Sequence, residues 1–423
     1  MPTPDLTTRA SCADDSDPLA LTVQQARDTI RAALVPIQDE EQVAIRSALG
    51  RALAKDCVSP LDVPSHTNSA MDGYALAGSD LPQDGAREYR VVATALAGQT
   101  VSEVCVSGDC VRIMTGAPMP SGTDTVVMQE QVEVVDKDRV RIDARHRAGQ
   151  NVRQAGEDIA QGSRVFERGR LLTAADLGVL ASLGFAELRV HRRPRVAFFS
   201  TGDELRSIGD VLAEGEIYDS NRYSLYAMLT EAGVDIVDLG VVADDRQALD
   251  DAFHHAARVA DVVITSGGVS VGEADYTKEI LDKLGDIAFW TIAMKPGRPL
   301  TFGRLGQAMF FGLPGNPVAV MLTFHQFVRP TLRYLASGNW PIRLVTQARS
   351  RVTLRKRPGR FEFVRGILSY DEQGQLTVGP SGAQGSGVLT SMSRANCYVL
   401  LNEECAGVAE GEMVAVEPFS TVL

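Results

Sequence analysis

Segment 195–335 carries the pattern that most restricts the fold, because short apolar runs alternate with stretches of helical character. The runs RVAFFS, VDIVDL and DVVITS begin at positions 195, 234 and 261 and are rich in β-branched and aromatic residues. Helical patterns follow at 220–232, 245–259 and 276–284, and a long helical pattern begins after Pro317 and runs to about 335. Apolar strands separated by helices are typical of a parallel sheet covered on both faces. We therefore predict a doubly wound α/β domain at 191–338.

The rest of the chain divides by pattern into helical and β parts. Residues 21–55 have helical character, with Thr22 as a cap, and helical character returns at 173–183 behind Thr173. Short alternating runs broken by glycine and proline indicate β structure before 146 and again after Pro341. The predicted division is a disordered leader at 1–18, a helical linker domain at 19–60 and 146–190, an inserted β domain at 61–145, the α/β domain, and a C-terminal β domain at 339–423.

Composition excludes several classes of protein. The 423 residues include 54 acidic and 42 basic side chains, and the net charge of −12 argues against coating of nucleic acid or of an anionic membrane. No apolar run approaches the roughly 20 residues of a bilayer span. The cysteines form no C-x-x-C pair; Cys105 and Cys110 flank a turn and could be cross-strand neighbours, but we interpret all six as reduced thiols. A cytoplasmic location is the expectation.

The ends of the predicted strands are the first place to look for a site, because ligands of open parallel sheets bind beyond the carboxyl ends of the strands. STGDEL (200–205) supplies the hydroxyls of Ser200 and Thr201, the flexible Gly202, and then Asp203 and Glu204. These residues suit a ligand site, although Ser, Thr and Asp also cap helices.

A glycine-rich segment, SGGVSVGEADYTK (266–278), follows the strand at 261–266. Its backbone amides can approach an anion, and the helix that follows adds the positive end of its dipole. The candidates for this role are Ser266, Gly267, Gly268, Ser270 and Gly272. Asp275 is either a ligand of a divalent cation that bridges phosphate oxygens or the cap of the helix.

Residues 268–272 also match the G-x-S-x-G pattern of serine hydrolases, which requires an acid and then a histidine downstream. The only later histidine, His325, lies in an apolar helical run. A serine hydrolase is therefore disfavoured. Walker, H-E-x-x-H and G-x-G-x-x-G patterns are absent as well, which weighs against ATPase, zinc and nicotinamide chemistry.

Two further segments, MKPGRPLTFG (294–303) and FFGLPGNPVAV (310–320), place cations and free amides near the same edge. Lys295 and Arg298 stand beside Pro296 and Gly297, and a cation on a stiff turn suits an oxyanion. The turn through Gly315 and Asn316 ends a strand and begins a helix, which predicts free amides at its tip. Solvated loop charges are the alternative for both cations.

Outside the α/β domain, three polar residues lie in segments of unusual sequence. Asp72 lies in NSAMDGYAL (68–76), which is neither a good helix nor a clean strand, and Thr115 and Asp158 lie in glycine turns. Plain turns would explain all three segments equally well.

Seven motifs in one order carry a family resemblance. They are NSAMDGYA, TGAPMP, GEDI, STGDEL, SGGVSVGEADYTK, MKPGRP and GLPGNPV, which begin at positions 68, 115, 156, 200, 266, 294 and 312. From about residue 21 to its end the chain resembles the molybdopterin molybdenumtransferases of the MoeA type, which also form the C-terminal part of gephyrin. The resemblance implies an elongated helical segment, an inserted β domain, an α/β domain and a C-terminal β barrel.

The resemblance also implies an activity and its partners. Members insert molybdenum from molybdate into adenylylated molybdopterin, require Mg²⁺ and release AMP, in the final step of molybdenum cofactor biosynthesis. They are homodimers with shared active sites, in which Asp72 would reach the partner's α/β domain. A molybdopterin adenylyltransferase and recipient molybdoenzymes are further expected partners. Neither nucleic acid nor membrane binding is expected.

Carried over position by position, the resemblance implies a set of site residues. The implied catalytic residues are Asp72, Glu204, Asp275 and Lys295, of which Glu204 and Asp275 would bind the metal. The implied substrate-binding residues are Thr115, Asp158, Ser200, Thr201, Gly202, Asp244, Ser266, Gly267, Gly268, Ser270, Gly272, Pro296, Gly297, Arg298, Gly315, Asn316, Arg365 and Ser386.

The chain departs from the family pattern at Thr291, where members often carry lysine. If Thr291 and Lys295 lie on one strand they point to the same face, and the cleft lacks one positive charge. Two other functions fit parts of the chain. A molybdopterin adenylyltransferase shares the α/β domain but not the two β domains, and a gephyrin-like scaffold would be expected to have a long interaction linker and an additional domain.

Overall fold

A computed structural model of the chain describes residues 20–267 and 275–420. These residues form two compact units. The smaller unit is 40–190, and the larger unit combines the described residues before 40 with those after 190. Of the helices in the described part of the chain, none has the length and apolar content that a bilayer crossing requires.

The larger unit begins with helix α1, Val23–Ala33, which confirms the predicted cap at Thr22. The Thr22 hydroxyl accepts a hydrogen bond from the Gln25 amide, and the Gln25 side chain accepts one from the Thr22 amide. The prediction of helix over all of 21–55 is wrong. The helix stops at Leu34, two residues before Pro36, and the next elements are a strand at Glu40–Ala44 and a short 3₁₀ turn at Ile45–Ser47.

The smaller unit is built mainly of strands. Its elements are β1 (Glu40–Ala44), β2 (Cys57–Val58), β3 (Asn68–Ser69), β4 (Gly73–Leu76), β5 (Ala86–Ala95), β6 (Asp109–Ile113), β7 (Thr125–Met128), β8 (Glu133–Asp136), β9 (Arg139–Asp143), β10 (Val152–Arg153), β11 (Arg164–Phe166), α2 (Ala174–Ser182) and β12 (Glu187–His191). Six strands form one sheet in the order β7-β4-β6-β5-β9-β8. Thr173 caps α2 as predicted, and a separate apolar core under α2 includes Leu172, Leu180 and Val190.

The cysteines agree with the interpretation as reduced thiols, since all five in the described part of the chain are free. Cys105 and Cys110 are buried. Burial raises the pKa of Cys105 to about 11 and that of Cys110 to about 12, so neither thiol ionises readily.

The larger unit contains the predicted α/β fold. Its elements are β13 (Arg195–Thr201), β14 (Leu205–Arg206), β15 (Ile217–Tyr218), α3 (Ser220–Ala232), β16 (Asp235–Val242), α4 (Arg246–Val259), β17 (Val262–Ser266), α5 (Asp275–Leu284), β18 (Gly285–Thr291), β19 (Met294–Lys295), β20 (Pro299–Leu305), β21 (Ala308–Leu313), α6 (Pro317–Thr323) and α7 (Arg329–Ser337). The sheet order is β16-β13-β17-β21-β20-β18. The first four strands are parallel. Strand β20 runs antiparallel to β21, to which a short hairpin joins it, and β18 runs antiparallel to β20 and so in the direction of the first four.

Alternating side chains of β13 bury both faces of this sheet, as predicted. Phe198 belongs to the core that contains Leu225 of α3. Phe199 points to the other face and makes an edge-to-face contact with Phe253 of α4, with ring centroids 5.1 Å apart. The doubly wound arrangement is therefore confirmed.

The long helix predicted after Pro317 is interrupted. Between α6 and α7, residues Phe324–Val328 form a π-helical turn. Pro330 lies just beyond this turn and has no N–H to donate, so a change of hydrogen-bond pattern is expected there.

The C-terminal part forms the predicted barrel. Its elements are β22 (Thr346–Ser350), β23 (Leu354–Arg355), β24 (Phe361–Tyr370), β25 (Leu376–Pro380), α8 (Leu389–Arg394), β26 (Cys397–Leu401), β27 (Gly407–Val408) and β28 (Met413–Pro418). The order β24-β25-β22-β28-β26 closes on itself through pairing of β24 with β26. Strand β19 pairs in parallel with the start of β24, at Phe361 and Glu362.

Candidate functional site

In the smaller unit, the structure brings together two of the predicted residues, Asp72 and Thr115. The Asp72 carboxylate accepts hydrogen bonds from the Thr115 amide (2.7 Å) and the Thr115 hydroxyl (2.8 Å). These bonds, with the nearby charge of Arg112, hold the pKa of Asp72 below its ordinary value. Asp72 is thus an oriented, ionised carboxylate at the start of β4.

Asp158, the third predicted residue of this unit, lies in an exposed turn. Its amide donates to the Val63 carbonyl at 3.0 Å, which fixes the backbone of the turn. Its role in substrate binding stays a prediction.

In the larger unit, three parallel strands end side by side. Gly267, directly after β17, has a φ of +87°, and a Cβ on it would lie 2.5 Å from the Thr201 carbonyl oxygen at the end of β13. A Cβ on Gly315, after β21, would lie 4.0 Å from the Gly267 Cα. At 267 only glycine allows the backbones to pass this closely, whereas the approach at Gly315 is an ordinary van der Waals distance. Three of the predicted segments therefore converge at one edge of the sheet.

The predicted hydroxyls and carboxylates at the end of β13 and after it differ in how far they are exposed. Ser200 is fully buried, and its hydroxyl has no hydrogen-bond partner among the described residues. Glu204 is exposed and folds back, with its carboxylate oxygens 2.7 and 2.9 Å from the position of a Cβ on Gly202. The Asp244 amide donates to the Asp203 carboxylate at 3.4 Å, which brings two acidic segments together.

The glycine-rich segment is only partly covered by the structure. Gly268, Ser270 and Gly272 lie outside the described residues, and Asp275 begins α5. Within residues 20–267 and 275–420 no three His, Cys, Asp or Glu side chains are grouped as a ready-made metal site. Mg²⁺ usually takes only one or two carboxylates together with water and phosphate oxygens. The exposed Glu204 carboxylate, which occupies space that glycine leaves open, fits that kind of site.

The predicted cation Lys295 is paired with an acid. Its ammonium lies 3.4 Å from the Glu362 carboxylate, and its side chain is 54 % exposed. The two residues face each other across β19 and β24. Next to it, Gly297 has a φ of +88° and passes close to the Thr323 methyl group.

The expectation that Thr291 and Lys295 share one strand is wrong. Thr291 ends β18 of the central sheet, whereas Lys295 belongs to β19 beside the barrel. The Ile292 amide donates to the Arg298 carbonyl, so the chain turns between the two residues. The argument that both side chains point to one face therefore fails.

The prediction of free amides at the tip of α6 needs a correction. The Val318 amide donates to the carbonyl of Ser386, a residue of the barrel, at 3.1 Å. A carbonyl thus satisfies an amide that had been expected to face a ligand. The same bond brings Ser386 to the turn that holds Gly315 and Asn316.

Arg365 is 1 % exposed and holds the loop that carries Ser386. Its guanidinium donates to the carbonyls of Ala383 and Gly385, each at 3.0 Å, and to the Ser391 hydroxyl at 2.8 Å. Burial lowers the pKa of Arg365. Arg365 therefore supports the loop that carries Ser386, and a loss of anion binding on its substitution would include the effect of losing this support.

Sequence reasoning missed Glu362 and Asn221. Glu362 faces Lys295 only because β19 adds to a barrel strand 67 residues later in the chain. Asn221 donates from its side-chain amide to Ser266 and Gly315. Its position in the first turn of the helix after β15 was the one available signal.

Three family models match the chain in succession. They are the MoeA N-terminal region (domain I and II) at residues 21–184, a probable molybdopterin binding domain at 197–334, and the MoeA C-terminal region (domain IV) at 347–419. The chain belongs to the MoeA family.

Relatives and solved structures of the MoeA family match over nearly the whole chain. A molybdopterin molybdenumtransferase of Haemophilus influenzae is 42 % identical over 95 % of this chain and 100 % of its own length. One from a Nostoc species is 37 % identical over 90 % of this chain and 88 % of its own. The crystal structure of a molybdopterin biosynthesis MoeA protein from Pyrococcus horikoshii has a TM-score of 0.82 at 27 % identity and covers 95 % of this chain and 100 % of its own.

Proposed function

We propose that this MoeA-family chain, a molybdopterin molybdenumtransferase, inserts molybdenum from molybdate into adenylylated molybdopterin and releases AMP, as the final step of molybdenum cofactor biosynthesis. The observation that carries the proposal is the convergence of Thr201, Gly267 and Gly315 at the ends of three parallel strands. That edge is where phosphorylated ligands bind in doubly wound folds.

Backbone and hydroxyl groups at this edge bind the phosphates and the pterin in the proposal. Glycines leave no side chain in the way of an anion that approaches the backbone, although the Gly267 amide itself donates to the Leu313 carbonyl at 3.3 Å. The cations Lys295 and Arg298 and the Ser386 loop held by Arg365 line the anion side of the site. The polar residues assigned to the substrates are Thr115, Asp158, Ser200, Thr201, Asp244, Ser266 and Asn316.

Glu204 and Asp275 would hold Mg²⁺ together with phosphate oxygens. Bound there, Mg²⁺ supplies positive charge that offsets the charge on the phosphoanhydride. Glu204 supports this assignment by being exposed beside Gly202. Asp72 is proposed to orient the oxygen that attacks the phosphoanhydride, and its hydrogen bonds from Thr115 hold the carboxylate in place for that role.

The direct test supplies purified protein with adenylylated molybdopterin, molybdate and Mg²⁺ and measures AMP. AMP release that depends on all three is expected, and Asp275→Asn and Glu204→Gln are expected to lose most of it. Glu410→Gln, a change at an exposed position of the barrel, serves as the control. Consumption of ATP in place of AMP release would point to an adenylyltransferase and would contradict the proposal.

We also propose that the protein is a cytoplasmic homodimer in which Asp72 of one subunit serves the site of the other. Its proposed functional partners are a molybdopterin adenylyltransferase that supplies the substrate and molybdoenzymes that receive the product. Mixing Asp72→Asn and Glu204→Gln subunits, each inactive alone, tests the shared site. Random pairing restores one site in each mixed dimer, so about a quarter of the wild-type rate is expected. No recovery after verified subunit exchange means that both residues act within one subunit.

A further inference from the structure

Asn221, in the first turn of α3, joins two of the loops at the candidate site. Its Nδ2 donates to the Ser266 hydroxyl at 2.9 Å and to the Gly315 carbonyl at 2.7 Å. A carbonyl oxygen can only accept a hydrogen bond, so the orientation of the amide is fixed. One side chain therefore ties the end of β17 to the turn that leads into α6.

The two segments that Asn221 joins have little freedom of their own. Ser266 is followed by Gly267, which passes against the Thr201 carbonyl with a positive φ. Gly315 lies next to Gly267 and precedes the helix tip that is bonded to Ser386. A shift at Asn221 would change the separation of the ends of β17 and β21, and with it the spacing of the backbone groups proposed to bind the ligand.

The surroundings of Asn221 indicate a role other than stabilising the fold. The residue is 9 % exposed, and its Oδ1 is buried without a hydrogen-bond partner among the described residues. An unpaired buried acceptor costs stability, which is a cost that many smaller side chains would avoid. Asp219, whose carboxylate caps α3 through the Arg222 amide at 3.0 Å, keeps Asn221 at the helix start.

We propose that Asn221 is a positioning residue for the AMP-releasing reaction, which sets the separation between the strand end at Ser266 and the turn at Gly315. The inference rests on the proposed function. Because Asn221 is buried beneath the two loops, its loss should disturb the reacting geometry more than ground-state binding. Small misplacements of reacting groups are expensive in rate, by as much as about 100-fold for roughly 1 Å.

The test compares Asn221→Asp with Asn396→Asp. Both changes keep the side-chain size and remove amide donors, since the Asn396 side chain donates to the Leu368 carbonyl at 2.9 Å within the barrel. For Asn221→Asp we expect kcat of AMP release to fall about 10- to 100-fold while KM for adenylylated molybdopterin changes by less than about threefold. Asn396→Asp should keep both constants near the wild-type values, even if its melting temperature falls.

Two results would overturn the inference. Equal kcat values for the two variants overturn the inference, because Asn221 then has only a structural role. A rise in KM with unchanged kcat overturns it too, since Asn221 would then contribute to ground-state binding. If Asn221→Asp does not fold, the same comparison is made with Asn221→Ser, which is smaller and retains a donor, and the same criteria apply.

Hydrogen exchange separates failure of the inference from failure of the proposed function. In the absence of substrate, peptides that contain Gly267 and Gly315 should exchange faster in Asn221→Asp than in wild type and in Asn396→Asp. If wild-type protein releases no AMP, the proposed function fails, and unchanged exchange at these peptides then rejects the positioning role as well.

Discussion

At the scale of single residues, hydrogen bonds orient the Asp72 carboxylate and lower its pKa. Asp72 receives two donors from Thr115, one from the backbone and one from the hydroxyl, and both favour the ionised carboxylate. The backbone donor is the larger cause of the low pKa of Asp72. The Asp72 carboxylate is therefore held in one orientation by bonds that need no substrate.

Thr115→Val should raise the pKa of Asp72 but leave it below the ordinary value, since the backbone donor remains. The pKa is measured by NMR titration of the carboxyl carbon. Thr94→Val, an exposed substitution in β5 of the same sheet, should leave the pKa of Asp72 unchanged. Equal Asp72 pKa values in wild type and Thr115→Val would contradict the assigned cause.

A second residue-scale prediction concerns the charge of Lys295. Glu362 lies 3.4 Å from it and competes with any anion for the ammonium. Glu362→Gln should tighten molybdate binding by about two- to fivefold, the range expected for a partly exposed ion pair. Calorimetric titration measures the affinity, with the exposed Glu372→Gln as control. Weaker or unchanged binding would show that Lys295 does not face the anion.

At the scale of elements, the site depends on strand ends that approach more closely than side chains permit. Gly267 needs a positive φ and also lies against the Thr201 carbonyl, whereas Gly240, in β16, has a φ of +80° but no atom nearer than 3.9 Å to a Cβ position. Comparing these two glycines separates the cost of a positive φ, which both have, from the cost of steric overlap, which only Gly267 has. Gly267 directly follows β17 and Gly240 lies within β16, and both strands belong to the same sheet.

Gly240→Ala should cost about 1 kcal/mol of unfolding free energy, the cost of a side chain in the left-handed region. Gly267→Ala should cost at least about twice as much, because the added methyl group also overlaps a carbonyl. Urea denaturation measures both values. Similar losses for the two variants would mean that the loop at Gly267 relaxes away from β13.

At the scale of the larger unit, a half-buried carboxylate holds the barrel to the α/β part. Glu417 of β28 accepts hydrogen bonds from Arg343 at 2.7 Å and from Gln326 of the π-helical turn at 3.1 Å. Arg27 of α1 bonds to the same Gln326. Burial alone would raise the pKa of Glu417, but the bonds from Arg343 and Gln326 and the charge of Arg27 outweigh it, and the pKa lies below the ordinary value.

Glu417→Gln should therefore lower the free energy of unfolding by about 2–3 kcal/mol at neutral pH, as expected for hydrogen bonds to a charged group. A carboxylate with a lowered pKa stabilises the fold above its unfolded pKa, and this contribution is lost as the pH falls through the folded pKa. The difference from wild type should therefore shrink below about pH 4. Thermal unfolding from pH 3 to pH 7 measures it, with Glu410→Gln as control. A difference that does not depend on pH would contradict the role of the charge.

The sequence by itself determined the elements whose causes are local. Caps at Thr22 and Thr173 act over three residues, and the continuous apolar run of β13 is enough to predict burial on both faces of the sheet. The order of seven short motifs determined the family resemblance. These features depend on neighbours in the chain, and a pattern of residue types describes such neighbours completely.

Only the tertiary structure decided which distant residues meet. The pairing of Lys295 with Glu362, the bond from Val318 to Ser386 and the two bonds of Asn221 each join segments that are tens of residues apart. The turn that separates Thr291 from Lys295 likewise follows from the pairing of β19 with the barrel. Such contacts are selected by the packing of whole elements, and local pattern contains no information about which strand becomes a neighbour.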